Sequence, residues 1–370
     1  MKFYGGTVVG NIFGQGVNDR FIGSSDITLT GRINITGNVF GGSNVTISGI
    51  DDSIGDGNSN ITIDSMSVTV NGNIYGGING LADTGYQRGN TNIIVNAGTL
   101  TNIYGGGNNT GNSGQSNITI NNGTVSGKIV GGAYKSSSGA ANITILGGIV
   151  TGNIYGGCEN TTQTELDNDS SEQNAVITIG TTDENIITIP TINGIIYGSG
   201  VFDAVGITTI QLIEAQNTIT AVYGGSNANA VTIDANITLN GATVGVIYGG
   251  GHEAGIGGEA SIKLISGTVT DVYGGGYAAN VETAIVELEG TATAENIYGG
   301  SNASATVTGS VDTSGVILTS GNVTNAFGGG NSSDVGTANI ILNGITIDEI
   351  HGGSKDAGTV TTSNVALISG

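Results

Sequence analysis

The sequence predicts an all-β chain wound as one parallel β-solenoid over residues 1–370, with about 13 coils of roughly 25 residues and three short strands per coil. Two observations carry that expectation. AVYGGS, VIYGGG, DVYGGG and NIYGGS set Tyr223, Tyr248, Tyr273 and Tyr298 at an unbroken spacing of 25 residues. Between them recurs a second constant element, NITLNGATV, SIKLISGTV and AIVELEGTA. One unit therefore reads as a β-branched strand, a glycine turn, a second strand, an aliphatic–aromatic–Gly-Gly segment, and a variable loop. A fixed period of this length is what stacked supersecondary units produce, because one unit alone cannot bury its apolar face.

Composition agrees. Glycine is 69 of 370 residues without the strict third-position period of collagen, and proline occurs once, at Pro190. Ile, Val and Thr are regularly placed, which excludes disorder. The balance of 8 Lys+Arg against 29 Asp+Glu gives a formal charge of −21, with the basic residues scattered singly. Neutralising phosphates takes clustered cations, so nucleic acid is excluded as a partner, and so is an anionic membrane surface. No apolar run reaches the length a membrane span needs, so membrane insertion is not expected. The opening MKFYGGTVVG has no apolar signal region. Cys158 is the single cysteine, so the fold stands on packing rather than on an internal disulfide.

Taken in order, Met1–Phe13 already fits the unit, since MKFYGGTVVGNIFG aligns with ITILGGIVTGNIYG at Ile143–Gly156. The aromatic column then runs Phe13, Phe40, Tyr75, Tyr104, Val130, Tyr155, Tyr197, Tyr223, Tyr248, Tyr273, Tyr298, Phe327 and His351. Loops of variable length follow the Gly-Gly at Ile78–Gly89, Gly107–Gln115, Ala133–Ala140, Cys158–Asn174 and His252–Glu259; the acidic insertion over 158–174 is the longest. The chain closes on NVALISG, which matches SIKLISG at Ser261–Gly267, where TVTDVYGGG would follow. The ends therefore offer strand edges and core, and the expected end-to-end contact residues are Met1, Phe3, Tyr4, Val365, Leu367 and Ile368.

Expected core columns are Ile118/Ile143/Ile237/Ile262, Ile120/Ile145/Leu239/Leu264 and Ile103/Ile154/Ile247/Val272, aliphatic at nearly every coil. Two residues before the aromatic stand Asn73, Asn102, Lys128, Asn153, Asp271, Asn296 and Glu349, side chains that cannot be routinely buried. Alternation then turns the aromatic outward as well. The expectation is an external, half-exposed interaction ladder of Tyr75, Tyr104, Tyr155, Tyr197, Tyr223, Tyr248, Tyr273 and Tyr298, about 4.8 Å per rung. The Gly-Gly after it is read as a corner needing positive φ.

The unit N-I-T-I-x-x-G-x-V-x-G-N-I-Y-G-G resembles the right-handed parallel β-helix repeats of bacterial surface and autotransporter-type adhesins, over Phe3 to Gly370. The resemblance implies an extracellular or cell-surface stalk, adhesin or fibre, in many cases without catalysis. The general bias of parallel crossovers favours right-handed winding.

Chemistry is sparse. Carbohydrate-active β-helices need clustered carboxylates with Lys or Arg in register on one sheet, and no outward column shows that. His252 and His351, the only histidines, stand about four coils apart. No catalytic residue is assigned, and the expectation is a non-enzyme. Calcium is the one cofactor candidate: Asp51, Asp52, Asp56 and Asp64, with Asn58, gather hard oxygen ligands, as do Glu165, Asp167, Asp169 and Glu172, but neither segment matches a known calcium loop. A threonine face for ice, through Thr62, Thr119, Thr144, Thr178 and Thr238, is interrupted by Ile94, Lys263, Val286, Ile317 and Ile341. The functional expectation is a non-catalytic extracellular structural or adhesive rod that self-associates end to end and presents its flanks to surface glycans. The alternative is a phage tailspike-like or carbohydrate-active β-helix that binds or cleaves polysaccharide.

Overall fold

The computed structural model describes residues 1–18, 23–46, 57–80, 86–87, 89–109, 111–112, 114–136, 139–160, 174–202, 206–228, 232–303 and 309–369, with the backbone alone at 86–87 and 111–112. The protein is an all-β parallel β-solenoid of about 12 turns with no helix among the described residues. Its residues fall into two compact units, Met1–Gly194 and Ile195–Gly370.

In the first unit a coil consists of three strands, as Ser116–Ile120, Thr124–Val125 and Ile129–Val130 illustrate. Each pairs in parallel with its equivalent 25 residues on: Ile118 with Ile143, Val125 with Val150, Ile129 with Ile154. The SNITI pattern forms the first strand because its β-branched residues alternate, placing Ile118 and Ile120 inward and Asn117 and Thr119 half-exposed. The turn that ends it needs a left-handed residue, supplied by Gly98, Gly123 and Gly148 at φ of 104°, 106° and 79°. In the second unit the strands run together, as in Asp234–Tyr248 and Ile256–Tyr273, and the register holds through small irregularities.

All three expected core columns are interior. Ile118, Ile120, Ile143, Ile145, Ile103 and Ile154 in the first unit, and Ile237, Leu239, Ile247, Ile262, Leu264 and Val272 in the second, are at most 1% exposed. Parallel registry stacks each on its own kind, Ile237 on Ile262 and Leu239 on Leu264. A closed coil leaves that interior no route to water, and each fully buried aliphatic side chain contributes about 1.5–3 kcal/mol.

Two expectations need correction. Val286 is not outward: it lies in register with Ile262 and is fully buried, and the residue facing out beside Lys263 is Glu287. The paired glycines after the aromatic are not the positive-φ corner either, since those residues are Gly98, Gly123, Gly148 and their equivalents in the preceding turn. The first glycine of each pair is required by close approach. A Cβ on Gly105 would land on the carbonyl oxygen of Gly131, and one on Gly249 on that of Gly274. The same corner is tied across its inside by buried hydroxyls: Thr91 Oγ1 donates to Gly105 O at 2.6 Å and Thr208 Oγ1 to Gly224 O at 2.6 Å.

Candidate functional site

The aromatic column stacks ring on ring from Phe13 to Tyr104 in the first unit, before Val130 interrupts it, and from Tyr197 to His351 in the second. In the first, Phe13, Phe40, Tyr75 and Tyr104 follow one another at centroid spacings of 5.0, 4.9 and 4.9 Å. In the second, Tyr197, Tyr223, Tyr248, Tyr273, Tyr298, Phe327 and His351 stack at 5.1, 4.7, 5.1, 4.5, 4.9 and 4.8 Å. Interplanar angles of 4–12° show rings held parallel by the strand registry beneath them.

The face was anticipated and the exposure was not. Asn73 Nδ2 donates to Tyr75 Oη at 3.0 Å and Asn153 Nδ2 to Tyr155 Oη at 3.1 Å, so each ring shares the strand face of the asparagine two residues earlier. Yet Tyr75, Tyr104, Tyr155, Tyr197, Tyr223, Tyr248, Tyr273 and Tyr298 are all buried, none above 8% exposed. The half-exposed ladder is therefore a covered one.

For Tyr104, Tyr223, Tyr248 and Tyr298 the cover comes from the residue four places after the column position of a later coil, just past the glycines. Tyr134, His252 and Tyr277 set their edges against Tyr104, Tyr223 and Tyr248 at 5.5, 5.3 and 6.0 Å. Others reach two coils back to a phenol. Tyr104 Oη donates to Glu159 Oε2 at 2.7 Å, Asn302 Nδ2 donates to Tyr248 Oη at 3.1 Å, and Lys355 Nζ donates to Tyr298 Oη at 3.2 Å. Where Val130 interrupts the column, Lys128 Nζ donates to Glu159 Oε1 at 2.6 Å and lies 6.0 Å from the Tyr104 ring. Burial holds these phenols neutral. It pushes Tyr75 up to about 12 against the opposing hydrogen bond from Asn73. It raises Tyr104 further, helped by Glu159, and it raises Tyr223, Tyr248, Tyr273 and Tyr298 as well. Such phenols are suited to stacking and donation, not to base catalysis.

Flanking the rings run amide ladders of fixed polarity: Asn102 Nδ2 donates to Asn73 Oδ1, Asn296 Nδ2 to Asp271 Oδ1, and Asn325 Nδ2 to Asn296 Oδ1, each at 2.8 Å. On the first strand Asn60, Asn92, Asn117 and Asn142 each donate to the equivalent residue one coil earlier. A carboxylate has no proton to pass backward, so Asp26 and Asp271 accept from the coil after them. Sequence reading placed the Asn73 column outside but missed this bonding; the recurrence of asparagine in register was the available signal.

Of the calcium candidates, Asp51, Asp52 and Asp56 lie outside the described residues, as do Glu165, Asp167, Asp169 and Glu172. Asp64 is exposed and accepts from Asn96 Nδ2 at 3.0 Å. Among the described residues no group of three or more His, Cys, Asp or Glu could hold a metal ion. His252 stacks on Tyr277 at 4.8 Å, and Cys158 is buried with its sulfur accepting from Ala133 N at 3.3 Å.

The six expected end residues occupy the first and last turns. Met1 and Tyr4 are 55% and 71% exposed and Phe3 is half-buried; Val365, Leu367 and Ile368 are 51%, 71% and 65% exposed. Val365 and Leu367 pair with the buried Ile340 and Leu342, so they continue two of the interior columns. No protein-family model, curated protein or solved structure matches the chain.

Proposed function

We propose that this protein is a non-catalytic, extracellular structural or adhesive β-solenoid that self-associates end to end. The observation that carries the reading is the recurring register, in which coil meets coil through the same aliphatic columns and the same aromatic stack. Coils that join by one repeated contact can be extended by further coils of the same kind without a new interface. The charge of −21 supports the reading, because like-charged flanks resist non-specific lateral association. The neutral, covered phenols and paired Glu159 support a structural rather than a catalytic role for the ladder. Light scattering over a range of protein concentration and salt tests it. Mass that grows with concentration and persists at high salt is the expected result, and a monomer throughout would refute the proposal.

A further inference from the structure

Six Asn-Gly pairs lie among the described residues, beginning at Asn71, Asn79, Asn122, Asn193, Asn240 and Asn343. In such a pair the backbone nitrogen after asparagine can attack that asparagine's own side-chain carbonyl carbon, because glycine sets no Cβ in the way. Four of the six have side chains tied to another coil. Asn71 Nδ2 donates to Asn34 Oδ1 at 3.0 Å, and Asn79 lies in a ladder between Asn44 and Asn108. Asn240 Oδ1 accepts from Ser266 Oγ at 3.0 Å and Asn343 Oδ1 from Ser369 Oγ at 2.7 Å. Asn122 is exposed and differs. In its column stand Ala97 one coil earlier and Gly147 one coil later, neither with an amide to pair with it. Its neighbour Asn121 finds Asn96 in register and donates to it at 2.7 Å. Asn122 Oδ1 instead takes the N–H of Gly123, the next residue, at 2.8 Å.

We infer that Asn122–Gly123 is a self-modification site, at which the chain converts its own asparagine through a succinimide to aspartate and isoaspartate. The carbon bearing Asn122 Oδ1 lies beside the nitrogen that would attack it, and rotation about the Cβ–Cγ bond brings carbon in place of oxygen. A groove bounded by Met66, Thr99, Asn122, Thr124 and Ile149 runs along the corner, so base and water reach the pair. Base removes the Gly123 amide proton, and the nitrogen forms a bond to Asn122 Cγ. The bond from Cγ to the side-chain nitrogen breaks, and that nitrogen leaves as ammonia with a proton from water. Water then opens the ring at one of its two carbonyls. The balance is one water consumed and one ammonia released, with no oxidation. Opening at the side-chain carbonyl carbon leaves aspartate and an unchanged main chain. Opening at the main-chain carbonyl carbon leaves isoaspartate, with one more carbon in the path. The strands on either side of the corner, Ser116–Ile120 and Thr124–Val125, are fixed in register by neighbours before and after them. Aspartate therefore adds charge alone, and isoaspartate adds charge and a misfit.

Peptide mapping by mass spectrometry tests this, on the chain incubated at mildly alkaline pH both folded and in denaturant. In the folded chain Asn122 should convert at least about tenfold faster than Asn71, Asn79, Asn240 or Asn343, since misplacing reacting atoms by about 1 Å can cost roughly 100-fold. In denaturant the ladders are gone and every pair is the same dipeptide, so the rates should converge. A tied pair that converts as fast as Asn122 in the folded chain would overturn the proposal. The same lead persisting in denaturant would overturn it too, because flanking sequence and not the fold would then set the rate. The products are compared after anion exchange separates them from the parent. Asn122→Asp should melt with the parent, and the isoaspartyl fraction should melt lower. Equal melting of that fraction and Asn122→Asp would overturn the misfit at the corner.

Discussion

The interior columns and the aromatic ladder are both buried and are kept so by different means. Ile154 lies inside a coil whose own three strands close around it. Tyr248, on the opposite strand face, is 5% exposed because Tyr277 and Asn302 lie across it from the next two coils. The first kind of burial belongs to the coil; the second is a property of coils in sequence, and a change of loop can remove it. The difference teaches that strand alternation fixes which way a side chain points and leaves open what lies over it.

Substitutions can break that comparison at points of decreasing consequence. Ile154→Asp buries an unpaired carboxylate and should cost at least about 3 kcal/mol, read as a large fall in melting temperature. Tyr248→Ala removes a ring stacked on Tyr223 and Tyr273 and should cost about 3 kcal/mol, somewhat less if the cover residues collapse into the gap. If instead Tyr248→Ala were silent, the ladder would be surface decoration and not a second core.

Alkaline titration probes the cover as a whole. An unfolded tyrosine ionises near 10.0, and Tyr75 in the fold only near 12. The folded state therefore keeps a proton that the unfolded chain gives up, so this contribution to stability is complete below pH 10 and is lost as pH rises toward 12. Absorbance near 295 nm should show the covered phenols ionising late and together with unfolding; early, reversible ionisation of all 12 tyrosines would mean the cover is open. Tyr248→Phe keeps the ring and removes only the acceptor of Asn302, for about 1 kcal/mol. Thr144→Asp, on the half-exposed face between Thr119 and Thr178, should cost about 0.5 kcal/mol. A loss at Thr144 as large as that at Ile154 would erase the distinction between the faces.

Much of this was legible because the period is nearly noiseless. The tyrosine spacing gave the coil, the aliphatic columns gave the interior, and the charged members of the Asn73 column gave the outward face. What escaped reading depended on contacts between different parts of the repeat. Nothing in the Tyr248 strand reports that Asn302, two coils on, will bond its hydroxyl. Still, the fourth residue after the column position, which is Val130 in one coil and aromatic in the others, is Tyr134, Glu159, His252, Tyr277, Asn302 or Lys355 in these coils, side chains with reach and a polar or aromatic tip. The paired glycines were misread for a related reason. A demand for positive φ and a demand for empty space both select glycine, and only the neighbouring carbonyl distinguishes them.

The close glycine approach and the self-matching registers also bear on heredity. The strands of each coil in the stretch from Tyr223 to Tyr298 pair with their neighbours through equivalent positions of the repeat. Removing Gly249–Tyr273 would bring Leu239 against Leu288 and Ile237 against Val286, an aliphatic junction like those it replaces. Misaligned exchange between similar stretches of the coding DNA could thus add or delete a whole coil without requiring a new core. Coil number is then a trait that recombination can alter in single steps, whereas a one-residue slip inside a coil would turn every side chain of a strand to the wrong face.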